Sequence, residues 1–174
     1  MKLRNINQLA SLTLGITIAL TGCSKDDGAI PNRISIEDVP AISTNLESGG
    51  TAANITFANQ AAFEGKFKET LYFTNATPPD KIDIAVRKNN SNLNVKIFKT
   101  NVTSLPASFT VTAADIATLF GTALALNDTY DFAPDIYVGT KKYEAFPGSG
   151  IGAGQGITGM SNIGYGEYVR FSVK

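Results

Sequence analysis

Apolar and polar positions alternate with period two over much of the chain after residue 33. In Lys81-Ile82-Asp83-Ile84-Ala85-Val86-Arg87, Ile82, Ile84 and Val86 share one face while Asp83 and Arg87 share the other, the pattern of a half-buried strand. Leu93-Asn94-Val95-Lys96-Ile97 repeats it. Asn89-Asn90-Ser91-Asn92 between them is a turn-forming cluster, because asparagine tolerates left-handed backbone and its amide bonds nearby main chain, so the two runs predict a hairpin. Further strands are predicted at Ile34 to Asp38, Ile55 to Phe57, Phe67 to Phe73, Phe109 to Val111, Tyr130 to Val138 and Tyr168 to Val173. Within the Tyr130 run, Asp131, Asp135 and Tyr137 occupy the face opposite Tyr130, Phe132, Ile136 and Val138. Pro134 lacks a ladder donor and predicts an edge strand or a bulge there.

One helix interrupts the strands. Thr112 stands where a cap belongs and Asp115 where a capping box places its acidic partner; Ile116, Leu119 and Phe120 then follow at helical spacing. Gly121 supplies the left-handed residue that ends the helix after about two turns. Many short strands with one apolar face each, glycine-rich turns and one helical crossing predict an all-β antiparallel sandwich.

The first residues follow another rule. Lys2 and Arg4 precede an apolar run from Leu9 to Leu20, which is too short to span a bilayer as a helix and has the make-up of a signal-peptide core. Leu20-Thr21-Gly22-Cys23 then resembles a bacterial lipobox, which implies cleavage before Cys23 and lipid on its thiol. Lys25, Asp26 and Asp27 resemble the export signal that sends lipoproteins of Bacteroidota to the outer face of the outer membrane. The expected organisation is therefore a signal peptide over 1–22, a lipidated cysteine and polar spacer over 23–32, and one sandwich domain over 33–174. Loss of Lys2 and Arg4 leaves a net charge of about −2, with no basic surplus for nucleic-acid phosphates.

Composition closes several kinds of chemistry. The chain has no histidine and a single cysteine, which the anchor consumes, so a histidine triad, a thiol nucleophile and the usual zinc ligands are excluded, and no cofactor is expected. Gly159-Met160-Ser161-Asn162-Ile163 misses the last glycine of a nucleophile elbow. Asp128, Asp131 and Asp135 form the obvious acidic cluster. Asp131 and Asp135 read as a solvated strand face, with a glycosidase pair or a calcium site as the alternatives for the cluster. Gly154-Gln155-Gly156-Ile157-Thr158-Gly159 matches a phosphate-cradling fingerprint but lacks the strand before and helix after that the mechanism requires. It reads as part of a long glycine-rich surface loop. Tyr137, Tyr143, Phe146, Tyr165 and Tyr168 surround that loop and are the candidate ligand-binding residues, as aromatic platforms for sugar rings, with capping of the core as the alternative. The absence of tryptophan argues against a dedicated carbohydrate module.

The stretch from Asp80 to Val86, continuing through Lys96-Ile97-Phe98-Lys99-Thr100-Asn101-Val102-Thr103 to Pro106 and then Thr112 to Gly121, resembles small immunoglobulin-like surface lipoproteins of Bacteroidota found beside starch-utilisation-type glycan-uptake systems. The resemblance covers about half the mature chain. It implies a single immunoglobulin-like sandwich, outer-membrane lipid as a partner through acylated Cys23, and a non-catalytic accessory role in binding a glycan or an uptake-complex protein. The alternative is a structural or adhesion subunit of fimbrial type. Such subunits usually carry two sandwich domains, and this chain has room for one.

Overall fold

Residues 39–148 and 167–174 are described by a computed structural model. The strands in chain order are β1 (Ile42–Leu46), β2 (Ala52–Ile55), β3 (Glu64–Leu71), β4 (Lys81–Lys88), β5 (Ser91–Val102), β6 (Ala107–Thr112), β7 (Thr129–Val138), β8 (Lys141–Tyr143) and β9 (Val169–Val173). A 3-10 helix, Phe57–Ala62, links β2 to β3, and helix α1, Ala113–Phe120, follows β6. One sheet has the order β1-β3-β6 and the other β2-β9-β7-β4-β5, with β8 added to the second half of β7. Every pairing is antiparallel except β2 with β9.

The two sheets face each other as a sandwich. Phe67 of β3 meets Phe132 of β7 at 5.3 Å between ring centroids and Phe171 of β9 at 6.5 Å. Ile82, Ile84 and Val86 of β4 join this core from the inner face of the larger sheet, as their alternation predicts. Helix α1 has the predicted ends: Thr112 and Asp115 form a reciprocal capping box, and Gly121 closes the helix at φ 67°.

The hairpin forms between β4 and β5, with Asn89 and Asn90 alone at φ 52° and 58°, the left-handed pair of a two-residue turn. Ser91 and Asn92, expected in the turn, already belong to β5. The run Phe67 to Phe73 becomes β3, which stops at Leu71 and leaves Tyr72 and Phe73 exposed edge to face. Phe57, expected in a strand, starts the 3-10 helix. Two strands were not legible from alternation. Strand β1 carries Ser43, Thr44 and Asn45 in its middle, and β8 is three residues long. The predicted strand Ile34 to Asp38 lies outside the described residues.

Two expectations are corrected. Pro134 sits in a central strand, paired with Ile84 of β4 on one side. On the other side β9 pairs only up to Phe132 and β8 only from Ile136, so the proline occupies the interval where neither of these strands pairs. Nor is β4 half-buried: Asp83, Ala85 and Arg87 on its outer face are buried too. The segment after β8 covers that face, fixed by a bond from the Ala145 N–H to Asp135 Oδ1 (2.8 Å) and one from Asn92 Nδ2 to the Pro147 carbonyl (3.1 Å).

Candidate functional site

A cleft of about 610 Å³ opens where the end of β1, strand β2, the 3-10 helix and the start of β3 converge. Its floor is apolar, made by Phe63 and Phe171, whose rings pack edge to face at 5.3 Å, and by Gly65, which lets them approach the β3 backbone. Exposed polar side chains surround the floor: Glu47, Ser48, Asn54, Asn59, Glu64 and Lys66. Lys66 pairs with Glu64 at 2.9 Å, and that bond raises the lysine above its ordinary range. An apolar aromatic floor beneath a rim of hydrogen-bonding groups suits a small ligand with an apolar side and polar substituents, such as a sugar. Both rim carboxyls stand in solvent.

Asp131 and Asp135, expected on a solvated face, are not solvated, and Asp128 is buried with them. Asp131 is fully buried and Asp128 and Asp135 nearly so. Each has its own partners. Asp131 accepts from Arg87 Nε (2.8 Å) and from Arg170 Nε (2.6 Å) and Nη2 (2.8 Å). Asp135 pairs with Lys142 at 2.9 Å, which outweighs burial and raises the lysine. Asp128 pairs with Lys88 and accepts from the Ala125 N–H, Asn89 and Tyr130; burial opposes its ionisation, but these bonds prevail and hold it at about 2.

Asp131 and Asp135 are four residues apart on one strand face, about 13 Å at strand rise, beyond the separation of about 5–9.5 Å that glycosidase carboxyls require. Their positions therefore support neither a catalytic pair nor a shared cation. Among the described residues no group of three or more acidic, cysteine or histidine side chains is placed to hold a metal ion.

The candidate aromatics are also divided by the fold. Tyr143 is opposite Ile136 and packs toward the main core. Phe146 is only 6% exposed, clustered with Ala85, Ala133 and Ala145, so it is an interior residue of the outer face rather than a ligand platform. Tyr137 projects outward at the far end of β7, donating to Asp83 Oδ2 at 2.9 Å beneath Lys81. Asp83 is held low: burial works against ionisation, but the Asn101 N–H, Tyr137 and Lys81 outweigh it. Tyr168 stands at the opposite end, its ring centroid 5.5 Å from the Arg87 guanidinium and 5.4 Å from that of Arg170. Cys23, Lys25, Asp26, Asp27, Tyr165 and the glycine fingerprint lie outside the described residues.

Sequence reasoning missed Glu69, fully buried on β3, and the roles of Arg87 and Arg170. Gly65, Phe67 and Glu69 do alternate with Lys66 and Lys68, but a glutamate at the third inward position reads as a break in the apolar face. No family, no curated protein and no solved structure matches this chain.

Proposed function

We propose that the protein is an outer-membrane lipoprotein of a Bacteroidota-type bacterium, anchored through acylated Cys23, facing the cell exterior, and acting as a non-catalytic accessory that binds a glycan or an uptake-complex partner. The Leu20 to Cys23 lipobox and the Lys25-Asp26-Asp27 signal support the address. The cleft over Phe63 and Phe171 carries the binding reading, because it joins an apolar floor to a polar rim and its rim carboxyls are solvent-exposed.

A glycan array probed with the full chain in detergent tests the binding. Asn59→Ala and Lys66→Ala remove exposed rim groups and are expected to abolish hits with neutral glycans while leaving thermal unfolding unchanged. Hits that survive both changes place binding elsewhere. For the anchor, Cys23→Ala is expected to lose labelled fatty acid and detergent partitioning; label retained on the variant refutes lipidation there. Replacing Lys25, Asp26 and Asp27 by alanine is expected to protect the protein from external protease on intact cells. Unchanged digestion removes the export reading.

The fimbrial-type alternative draws on β5, a twelve-residue strand at the edge of the larger sheet with no partner on its outer side among the described residues. It predicts ordered polymers in surface extracts, where the accessory reading predicts none.

A further inference from the structure

Arg87, Arg170 and Asp131 form a cluster with one positive charge too many. Both guanidiniums bind the single Asp131 carboxylate, and no second acid bonds to either arginine among the described residues. At the other end of the same outer face, Lys81 and Lys142 meet Asp83, Asp135 and Glu144, so the surplus there is negative. The face is polarised, with its positive end at β9.

The guanidiniums are held in place. Arg87 is 8% exposed, lies 4.5 Å from the Phe146 ring centroid and donates Nη1 to Asn92 Oδ1 at 3.1 Å. Arg170 Nη2 donates to Asn90 Oδ1, whose position is fixed by the left-handed turn. Of the five N–H donors on each guanidinium, the bonds named use two on Arg87 and three on Arg170. The remaining donors meet no acceptor among the described residues. Arg87 is buried and shares its one counter-charge with the half-buried Arg170, which is costly, and an incoming anion offsets that cost through charge-assisted bonds. Beside the donors stands the half-buried Tyr168 ring, in contact with both guanidiniums.

We infer that Arg87, Arg170 and Tyr168 form a binding site for an acidic sugar unit, its carboxylate taking the free guanidinium edges and its ring lying against the tyrosine. The aromatic ring favours a sugar over a peptide terminus, since a cyclic acid can use both features at once. This site lies on the outer face of the larger sheet, apart from the cleft, and does not depend on it.

The test titrates the full chain in detergent with trigalacturonic acid, its methyl ester and a short peptide ending in a free carboxylate. The acid is expected to bind about tenfold or more tightly than the ester, the worth of one charge-assisted contact, and to weaken with added salt. Arg170→Gln is expected to lose that preference and Arg170→Lys to keep part of it, with unfolding followed in parallel. Should Arg170→Gln fail to fold, the comparison of acid with ester on the unaltered protein and the lysine variant still decide. Asn59→Ala and Lys66→Ala in the cleft are expected to leave acid binding unchanged. No binding of the acid, equal binding of acid and ester, or preference for the peptide each overturns the inference, as does loss of acid binding in the cleft variants.

Discussion

Gly65 lies so close to Phe171 that a Cβ on it would come within 2.7 Å of the ring carbons Cε1 and Cζ, and within 2.8 Å of Phe63 Cζ. Phe171 is fully buried between the sheets and cannot yield as a surface side chain would. The glycine is therefore a packing requirement of the cleft floor. Gly65→Ala is expected to cost about 1–3 kcal/mol, the usual penalty for overpacking a core, measured by denaturant unfolding. It should also weaken ligands of the cleft while sparing ligands of the arginine pair.

Phe146 separates interior from platform in the same way. It covers Arg87 and packs on Ala85 and Ala133. Phe146→Ala is expected to cost about 3–5 kcal/mol, as truncation of a core aromatic does, whereas an exposed platform residue would lose affinity with little change in stability. A melting curve identical to that of the parent would return Phe146 to the ligand surface.

The elements that were legible in the sequence are those whose local chemistry agrees with the fold. Thr112, Asp115 and Gly121 announce α1 because capping is satisfied within a few residues. Asn89 and Asn90 announce the hairpin for the same reason. What could not be read depends on partners distant in the chain. Asp131 looks solvated until Arg170, 39 residues later, is brought beside it, and Thr44 looks like surface until Glu69 accepts its hydroxyl. The late aromatics are close in sequence, but period two sends Tyr137 outward and places Tyr143, opposite Ile136, on the core side. The candidate site was the least legible part, since the cleft floor joins Phe63 and Gly65 to Phe171, more than a hundred residues later in the chain.

Asp131 and Asp135 differ in what their loss would leave behind. Asp131→Asn strands two guanidiniums against each other without a carboxylate, and an uncompensated buried charge costs about 3–5 kcal/mol. Asp135→Asn releases Lys142, whose side chain is 37% exposed and can turn to water. Chemical unfolding of the two variants is expected to show a clearly larger loss for Asp131→Asn. Equal losses would mean that the arginine pair is relieved by another anion.

Glu69 sets the pH dependence of the fold. It is fully buried, accepts a bond from Thr44 Oγ at 2.8 Å on Oε2, and has no partner for Oε1 among the described residues. Burial raises it from 4.5 to about 8, with the Thr44 bond opposing only in part. The unfolded chain gives up this proton near 4.5 while the folded chain keeps it to about 8, so the folded state binds more protons in that window and stability falls as pH rises through it. Asp128 acts in a different window with the opposite sign: held at about 2, it adds stability above 3.8 that is lost as pH falls toward 2. Denaturant unfolding at about pH 5 and about pH 8 is expected to show the parent less stable at the higher pH, the cost approaching ~1.4 kcal/mol for each pKa unit traversed. Glu69→Gln keeps an acceptor for Thr44 and cannot ionise, so it is expected to match the parent near pH 4.5, exceed it near pH 8 and lose the slope between. Parallel stability curves for parent and variant would show that Glu69 is not the group that titrates.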